Sequence, residues 1–404
     1  MEYETTIYEE WDVPRVINAA GTKTRIGGSR IRPEAVEAMS RASESFVRLS
    51  DLQVRAGELI SEVTGAESGY VASGAAACMT LAAAAAIAGD DLGTMARLPD
   101  TENVPNEIVM ARTHRNGYDH AFRAAGARIV DVGNNDVSLG TGSNSTEPWE
   151  IADAINEKTV AVGYMEKVYS TPPLETVVDI AHEHDVPVIV DAAAEVPPRE
   201  NLSAFVDAGA DMVVFSGGKA IRGPQTTGIL AAKREYVRSA ALQHLDMHVA
   251  EAVWEPPEEL FNKEQLAGVP RQGIGRPLKV GKEELAGLIA ALESFVAEDQ
   301  RALNAEWEER VELVADGLSG VTGVSTTKRA GGKLMVAPEL FIEIDSDNAA
   351  LDAIELVGSL RTETPRIFVG SDDLPDAFTI NPMCLTDEEA AYVIERLQSH
   401  LTDS

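Results

Sequence analysis

An α/β fold with a mostly parallel central sheet and a smaller α+β C-terminal domain is predicted by three observations. Strand-like and helix-like segments alternate through the middle of the chain. The strand-like segments are short apolar runs, such as Met212-Val213-Val214-Phe215 and Val186-Pro187-Val188-Ile189-Val190, as expected of strands buried on both faces. At 404 residues the chain exceeds one typical domain.

The elements follow in order. Gly69-Tyr70-Val71-Ala72 reads as a short strand, Ser73-Gly74 as a turn, and Ala75 to Ile87 as a helix of small residues. Ile108-Val109-Met110 is a strand, followed by a helix over 117–125 and a strand over 127–132. A helix over 150–157 precedes a strand over 159–164. The helix over 174–184 has Pro173 and Glu175 suited to its first turn. One charged helix over about 283–318 is expected to bridge to the second domain. There, strands at 323–326, 340–344 and 377–380 and a helix at 386–400 are expected. The expected division is an N-terminal segment 1–45 joining the small domain, a large domain 46–300 and a small domain 301–404. Loose segments are expected in the first dozen residues, at 139–146 and at 254–259.

Composition carries a separate message. There are 34 basic and 66 acidic residues, giving a formal net charge of −32. An acidic surface stays hydrated in concentrated salt, where screening removes much of the self-repulsion. This predicts adaptation to a salt-rich cytoplasm. Disorder is excluded by the 44% apolar content, and nucleic-acid partners by the lack of a basic footprint. Cys78 and Cys384 read as core thiols, and no Cys/His metal spacing occurs. The acidic start Met1-Glu2-Tyr3-Glu4-Thr5 has no signal-peptide core, and the alanine run at 82–88 is too short to span a bilayer. A cytoplasmic enzyme with no membrane attachment is the expectation.

Chemistry concentrates in Ser216-Gly217-Gly218-Lys219-Ala220-Ile221-Arg222-Gly223-Pro224-Gln225. A lysine at a strand end can form a Schiff base with pyridoxal phosphate, while Ser216 and the Gly218 amide can hold a phosphate. Alone, the run could equally be a solvated turn. Asp191 ends a strand 28 positions earlier. One short helix fits between, so neighbouring parallel strands would bring Asp191 and Lys219 to the same sheet edge. A carboxylate there keeps a pyridine nitrogen protonated, although a strand-end Asp can also cap a helix. The turn Ser73, Gly74, Ala75, Ala76 opens a helix whose free amides favour a phosphate.

These motifs resemble the fold-type I pyridoxal-phosphate enzymes, and within them the selenocysteine synthase-like family. The likeness spans roughly residues 13–400. Its further marks are Val16-Ile17-Asn18-Ala19-Ala20-Gly21-Thr22, Pro187 to Glu195, and Gly273-Ile274-Gly275-Arg276-Pro277-Leu278-Lys279-Val280-Gly281-Lys282-Glu283. The resemblance implies an aspartate aminotransferase-like fold, pyridoxal 5'-phosphate as cofactor and a ring-stacking residue after the strand at 108–110. His114 is the first choice for that residue and Tyr118 the second. The resemblance also implies a homodimer or larger symmetric assembly.

Substrate acids call for guanidinium groups. Arg222, close after Lys219, is one candidate. Arg271 and Arg276 flank the Gly273/Gly275 turn, and Arg25 and Arg366 are weaker candidates. Lys219 is then the catalytic base, Asp191 holds the ring nitrogen, and His114 or Tyr118 can assist a leaving hydroxyl. The expected reaction is loss of water and ammonia from a β-hydroxy amino acid or amino sugar acid, such as D-glucosaminate 6-phosphate. A 2-keto-3-deoxy acid would be the product. A selenium transferase-like activity on seryl-tRNA, a racemase or aldolase acting on an unphosphorylated amino acid, and a non-catalytic cofactor-binding protein remain the alternatives.

Overall fold

The computed structural model describes residues 6–134, 146–167, 170–246, 249–266, 268–271, 273–330 and 337–402. Most of the segment expected to be loose at 139–146 lies outside these residues. The chain divides into two compact units, residues 31–297 and residues 1–30 with 298–404. The strands are β1 (Val16–Ala19), β2 (Ser68–Ala72), β3 (Glu107–Ala111), β4 (Arg128–Val132), β5 (Thr159–Met165), β6 (Val188–Asp191), β7 (Met212–Ser216), β8 (Gly228–Ala232), β9 (Val324–Arg329), β10 (Glu339–Ile344), β11 (Arg366–Val369) and β12 (Ala377–Ile380).

The larger unit holds a seven-stranded sheet in the order β2-β8-β7-β6-β5-β3-β4. All neighbours are parallel except at β8, which runs antiparallel to both β2 and β7. Because β8 reverses direction between them, β2 and β7 point the same way, and the C-terminal ends of β2, β3, β5, β6 and β7 share one edge. Side chains alternate across the sheet, as the strand period of two requires. Val188, Val190, Val213 and Phe215 enter one apolar core, and Ile189, Met212 and Val214 enter the other. Each face is covered by helices, which is why these strands read as continuous apolar runs.

The helix Ala75–Ala88 is buried along nearly its whole length. Alanine lets it lie close against β8, β7 and the helices His120–Ala124 and Arg234–Leu242. The smaller unit pairs β1 in parallel with β11 and builds a second, antiparallel sheet in the order β12-β10-β9. Its core gathers Ile17, Leu340, Ile342, Leu356, Ile367, Phe378 and Val393. Buried Glu389 accepts from Arg30 at 2.6 Å and from Arg15 at 3.4 Å.

Two readings of the sequence need correction. The single helix over 283–318 is two helices, Lys282–Ala297 and Gln300–Gly317. The second restarts at Asp299, whose carboxylate accepts from the N–H groups of Arg301 and Ala302 and so caps a new first turn. The first dozen residues include a short helix, Ile7–Glu10, closed by a reciprocal Thr6/Glu9 capping box. His182 Nε2 lies 2.9 Å from buried Asp211, which also accepts from the Val188 N–H and from Lys233. Among the described residues, no helix is long and apolar enough to cross a membrane.

Candidate active site

The site is built along the C-terminal edge of the large sheet. The registers fix its rows. Ser216 stands opposite Gly228, and Gly228 opposite Ala72, so the Lys219 turn and the Ser73 turn start level with each other. Asp191 pairs with Val214 on one side and with Met165 on the other.

Lys219 lies half-buried in the turn that follows β7. The loop around it is drawn tight: Gly217 N–H donates to Thr227, Gly223 N–H to Gly217 and Arg222 N–H to Lys219, all at 2.8–3.0 Å. Arg222 holds φ +59, a left-handed conformation a non-glycine residue seldom adopts. Its carbonyl accepts from the Arg32 N–H. A Cβ on Gly218 would lie 2.7 Å from the Gln225 backbone, so the second glycine of the run is needed for closure.

Asp191 is anchored by the Ala193 N–H, which donates to its carboxylate at 3.1 Å. Burial pushes this carboxyl up, while that hydrogen bond and then the charges of Lys219 and Lys167 pull it down. Lys219 and Asp191 are therefore within electrostatic reach of each other. A cationic ring nitrogen beside Asp191 would favour its charged form further.

The helix Ala75–Ala88 begins at Gly74 with no side-chain cap, leaving its first amides to another partner. Gly74 has φ +107 and open space where a Cβ would stand. Gly228 faces it so closely that a Cβ there would meet the Gly74 carbonyl carbon at 2.2 Å. Uncapped amides beside Ser73 and an open glycine form a cradle for a phosphate. The residues present thus fit pyridoxal phosphate: an anion cradle, a strand-end lysine and a buried carboxylate share one edge.

His114 is 1% exposed. It packs edge-on against Tyr164, with centroids 4.7 Å apart, and its Nδ1 faces the Met165 N–H at 3.5 Å. Its Nε2 is buried without a partner among the described residues. Burial lowers the imidazole to about 4, so the ring is neutral near pH 7. The folded state then resists a proton that the unfolded chain accepts below about pH 6.5. This stability is fully present above pH 6.5 and is lost as pH falls towards 4, by up to about 3 kcal/mol. Urea melts at pH 4.5 and 7.5 are expected to show His114→Gln losing less stability than the parent over that interval.

The other candidates spread out. Tyr118 is 65% exposed, and its N–H donates to Asn116. Arg276 opens a 3-10 turn over Arg276–Leu278, and the Leu278 carbonyl accepts from the Ser73 N–H at 2.9 Å, which ties this segment to the phosphate cradle. Arg271 is exposed. Arg25 belongs to the smaller unit, where it lines a cleft with Arg15, Arg30, Arg366 and Glu389.

Sequence reasoning missed an ion pair at the same edge. Lys167 Nζ lies 2.5 Å from Oε1 of Glu195, a residue only 2% exposed. Glu195 stands in the Asp191-Ala192-Ala193-Ala194-Glu195 run, so its nearness to Asp191 was readable. Its partner, distant in the chain, was not.

Comparison with known proteins agrees with this geometry. The aminotransferase class-V family model matches residues 121–254. A D-glucosaminate-6-phosphate ammonia lyase of Salmonella typhimurium is 31% identical over 97% of both chains. A solved structure of a D-glucosaminate-6-phosphate ammonia-lyase superposes with a TM-score of 0.80 at 30% identity, over 98% of both chains. A 5'-C-glycyluridine monooxygenase-decarboxylase from a Streptomyces species is 30% identical over 99% of this chain and 93% of its own. An L-seryl-tRNA(Sec) selenium transferase of Nitratidesulfovibrio vulgaris is 26% identical over 72% of this chain and 57% of its own. The chain belongs to the fold-type I pyridoxal-phosphate-dependent enzymes of the selenocysteine synthase-like family, in the branch that contains D-glucosaminate-6-phosphate ammonia lyase.

Proposed function

We propose that this enzyme is a lyase that releases ammonia from a 2-amino-3-hydroxy sugar acid, by eliminating water and taking one water back, D-glucosaminate 6-phosphate being the first candidate. The observation carrying this reading is the placement of Lys219, Asp191 and the uncapped Ala75–Ala88 helix on one sheet edge, together with full-length similarity to the Salmonella lyase. Pyridoxal phosphate, when bound, supplies an aldehyde that links to the substrate amine and a ring that takes up the electron pair left at the α-carbon.

The protein's own residues supply the rest. The amides of Ala75 and Ala76, with Ser73, Ser216 and Gly218, would hold the phosphate. Lys219 would hold the aldehyde carbon and, once displaced by the substrate amine, take the α-proton on Nζ. Asp191 would keep the ring nitrogen protonated. His114 would pack on the ring; with Nδ1 turned to the Met165 N–H, the neutral imidazole carries its hydrogen on Nε2, which can donate it. Arg222, Arg271, Arg276 and Arg25 are the candidates for substrate acid groups, and Tyr118 is a further candidate for a substrate contact. The hydroxyl leaves the β-carbon as water after gaining a proton from Lys219. The released unsaturated amine takes up one water, giving ammonia and a 2-keto-3-deoxy acid.

The test is to incubate the cofactor-loaded protein with D-glucosaminate 6-phosphate in high salt and measure keto acid and ammonia. Absence of both removes this substrate. Because the Streptomyces relative is named a monooxygenase-decarboxylase, oxygen uptake and carbon dioxide release are followed as well. Their appearance without keto acid would contradict a lyase. Absence of α-proton exchange with any amino acid in deuterated water would point to a non-catalytic cofactor-binding protein.

Two further features belong to this reading. The charge of −32 suits a salt-rich cytoplasm. Thermal melts are expected to rise from 0.1 M to 3 M KCl, and an unchanged or falling melt would count against it. A symmetric homo-oligomer is the second feature. In the larger unit Phe46 is fully exposed, and Val47 and Val253 are also exposed. Arg48 bonds the Glu255 carbonyl, which joins the two chain segments that carry these exposed apolar side chains. Light scattering at the monomer mass would contradict an assembly.

A further inference from the structure

The turn that carries Lys219 is strung between hydrogen bonds on opposite sides of one peptide group, the one joining Ile221 to Arg222. Its N–H donates to the Lys219 carbonyl at 3.0 Å, and its carbonyl accepts from Nε of Arg32 at 2.8 Å. A trans peptide points its C=O and N–H opposite ways, so the two bonds fix the tilt of that plane. The next peptide group, between Arg222 and Gly223, is held as well. Its carbonyl accepts from the Arg32 N–H at 2.9 Å, and its N–H donates to the Gly217 carbonyl at 2.8 Å. Arg32 therefore grips both peptide planes that flank Arg222, one with its side chain and the other with its main chain. Arg222 is the residue at φ +59. A non-glycine residue keeps such a conformation only where its surroundings impose it.

Arg32 is itself held in place. It is buried at the start of the helix Pro33–Ser43, and Pro33 restrains it to an extended backbone, φ −62 and ψ 142. Its guanidinium carbon lies 5.9 Å from the centroid of the Phe295 ring. Phe295 belongs to the helix Lys282–Ala297, which closes on the same turn. A Cβ on Gly287 of that helix would meet Met39 Cγ at 2.6 Å and Pro224 Cγ at 2.9 Å. A guanidinium donates a stronger hydrogen bond than a neutral group does, and a buried carbonyl that loses its donor is costly.

We propose that Arg32 is a positioning residue for Lys219. It holds Arg222 in the left-handed conformation that closes the turn, and so fixes the point from which the Lys219 side chain starts. This rests on the proposed function only in assigning the cofactor to Lys219; the substrate does not enter.

Pyridoxamine phosphate has the ring and phosphate of pyridoxal phosphate but no aldehyde. The ratio of the two affinities therefore reads the bond to the lysine apart from the rest of the site. The experiment titrates the cofactor-free protein with each compound, and the parent is expected to favour pyridoxal phosphate. Arg32→Met is expected to lower the ratio by roughly tenfold or more, the scale of losing one hydrogen bond from a charged donor. Arg32→Lys keeps the charge but not the Nε–H, and is expected to lower the ratio by a smaller factor. Adding Arg222→Gly to Arg32→Met is expected to recover most of the ratio, because glycine takes a positive φ without strain. A role for Arg32 in helix start or core packing alone would not be answered by a change at 222. Should Arg32→Met not fold, Arg32→Lys with and without Arg222→Gly carries the same comparison. Amide exchange over 217–223 in the cofactor-free protein, read by mass spectrometry, is expected to quicken in each single Arg32 variant. A parent-like ratio or parent-like exchange in the Arg32 variants overturns the proposal, and so does a double variant no better than its Arg32 single. A parent that binds both compounds alike is a different failure: it removes the assignment of the cofactor to Lys219, and this proposal with it.

Discussion

Lys219→Ala is expected to yield a folded protein with no lysine-bound cofactor absorption band and with α-proton exchange reduced by on the order of 10²–10⁴-fold. The fold should survive, because the 217–227 loop is closed by backbone bonds that alanine retains. Chemistry should not survive, because no other amine takes Lys219's place at the end of β7. Lys167, which lies at the same sheet edge, is engaged by Glu195. Absorbance spectra and NMR exchange on the variant check both halves of this expectation. Adding methylamine, which offers a mobile amine, is expected to return a small part of the exchange.

Asp191→Asn is the second large effect. The amide keeps the shape of the side chain and can still accept from the Ala193 N–H. It removes the negative charge that would hold the ring nitrogen protonated. Cofactor should still bind through the Ala75–Ala88 helix end and Lys219, while α-proton exchange falls by roughly 10²–10³-fold, the scale of losing one pre-aimed electrostatic stabiliser. Cofactor titration separates this outcome from a simple loss of binding. The Asp191→Glu variant tests position, since it keeps the charge but moves it.

The placement of Lys219 and Asp191 was more legible in the sequence than that of the residues around them. Lys219 and Asp191 were readable because each ends an apolar strand, and the interval between them admits one helix. That arithmetic forces parallel neighbours, and β6 and β7 do pair in parallel. The Ser73 turn was readable because small residues follow a strand directly. β8 was not read at all: Gly228–Ala232 is short and follows a tight loop, and it runs antiparallel both to β7 just before it and to β2, whose paired residues lie 156 to 164 positions earlier in the chain. The break at Asp299 has no glycine or proline to announce it, only a carboxylate that finds its capping role in three dimensions. His114 sits in a polar stretch of sequence, yet it is buried against Tyr164, a contact set by the β3–β5 pairing. Lys167 and Glu195 meet because Met165 and Asp191 share a register, which composition and spacing do not encode.

Lys219 is proposed to hold the cofactor. Borohydride reduction of the cofactor-loaded protein, followed by protease digestion and mass spectrometry, tests it most directly. The expected result is a pyridoxyl-phosphate mass increase on the peptide containing Lys219 and on no other. The increase appearing on a peptide containing Lys167, or persisting in the Lys219→Ala protein, would contradict it.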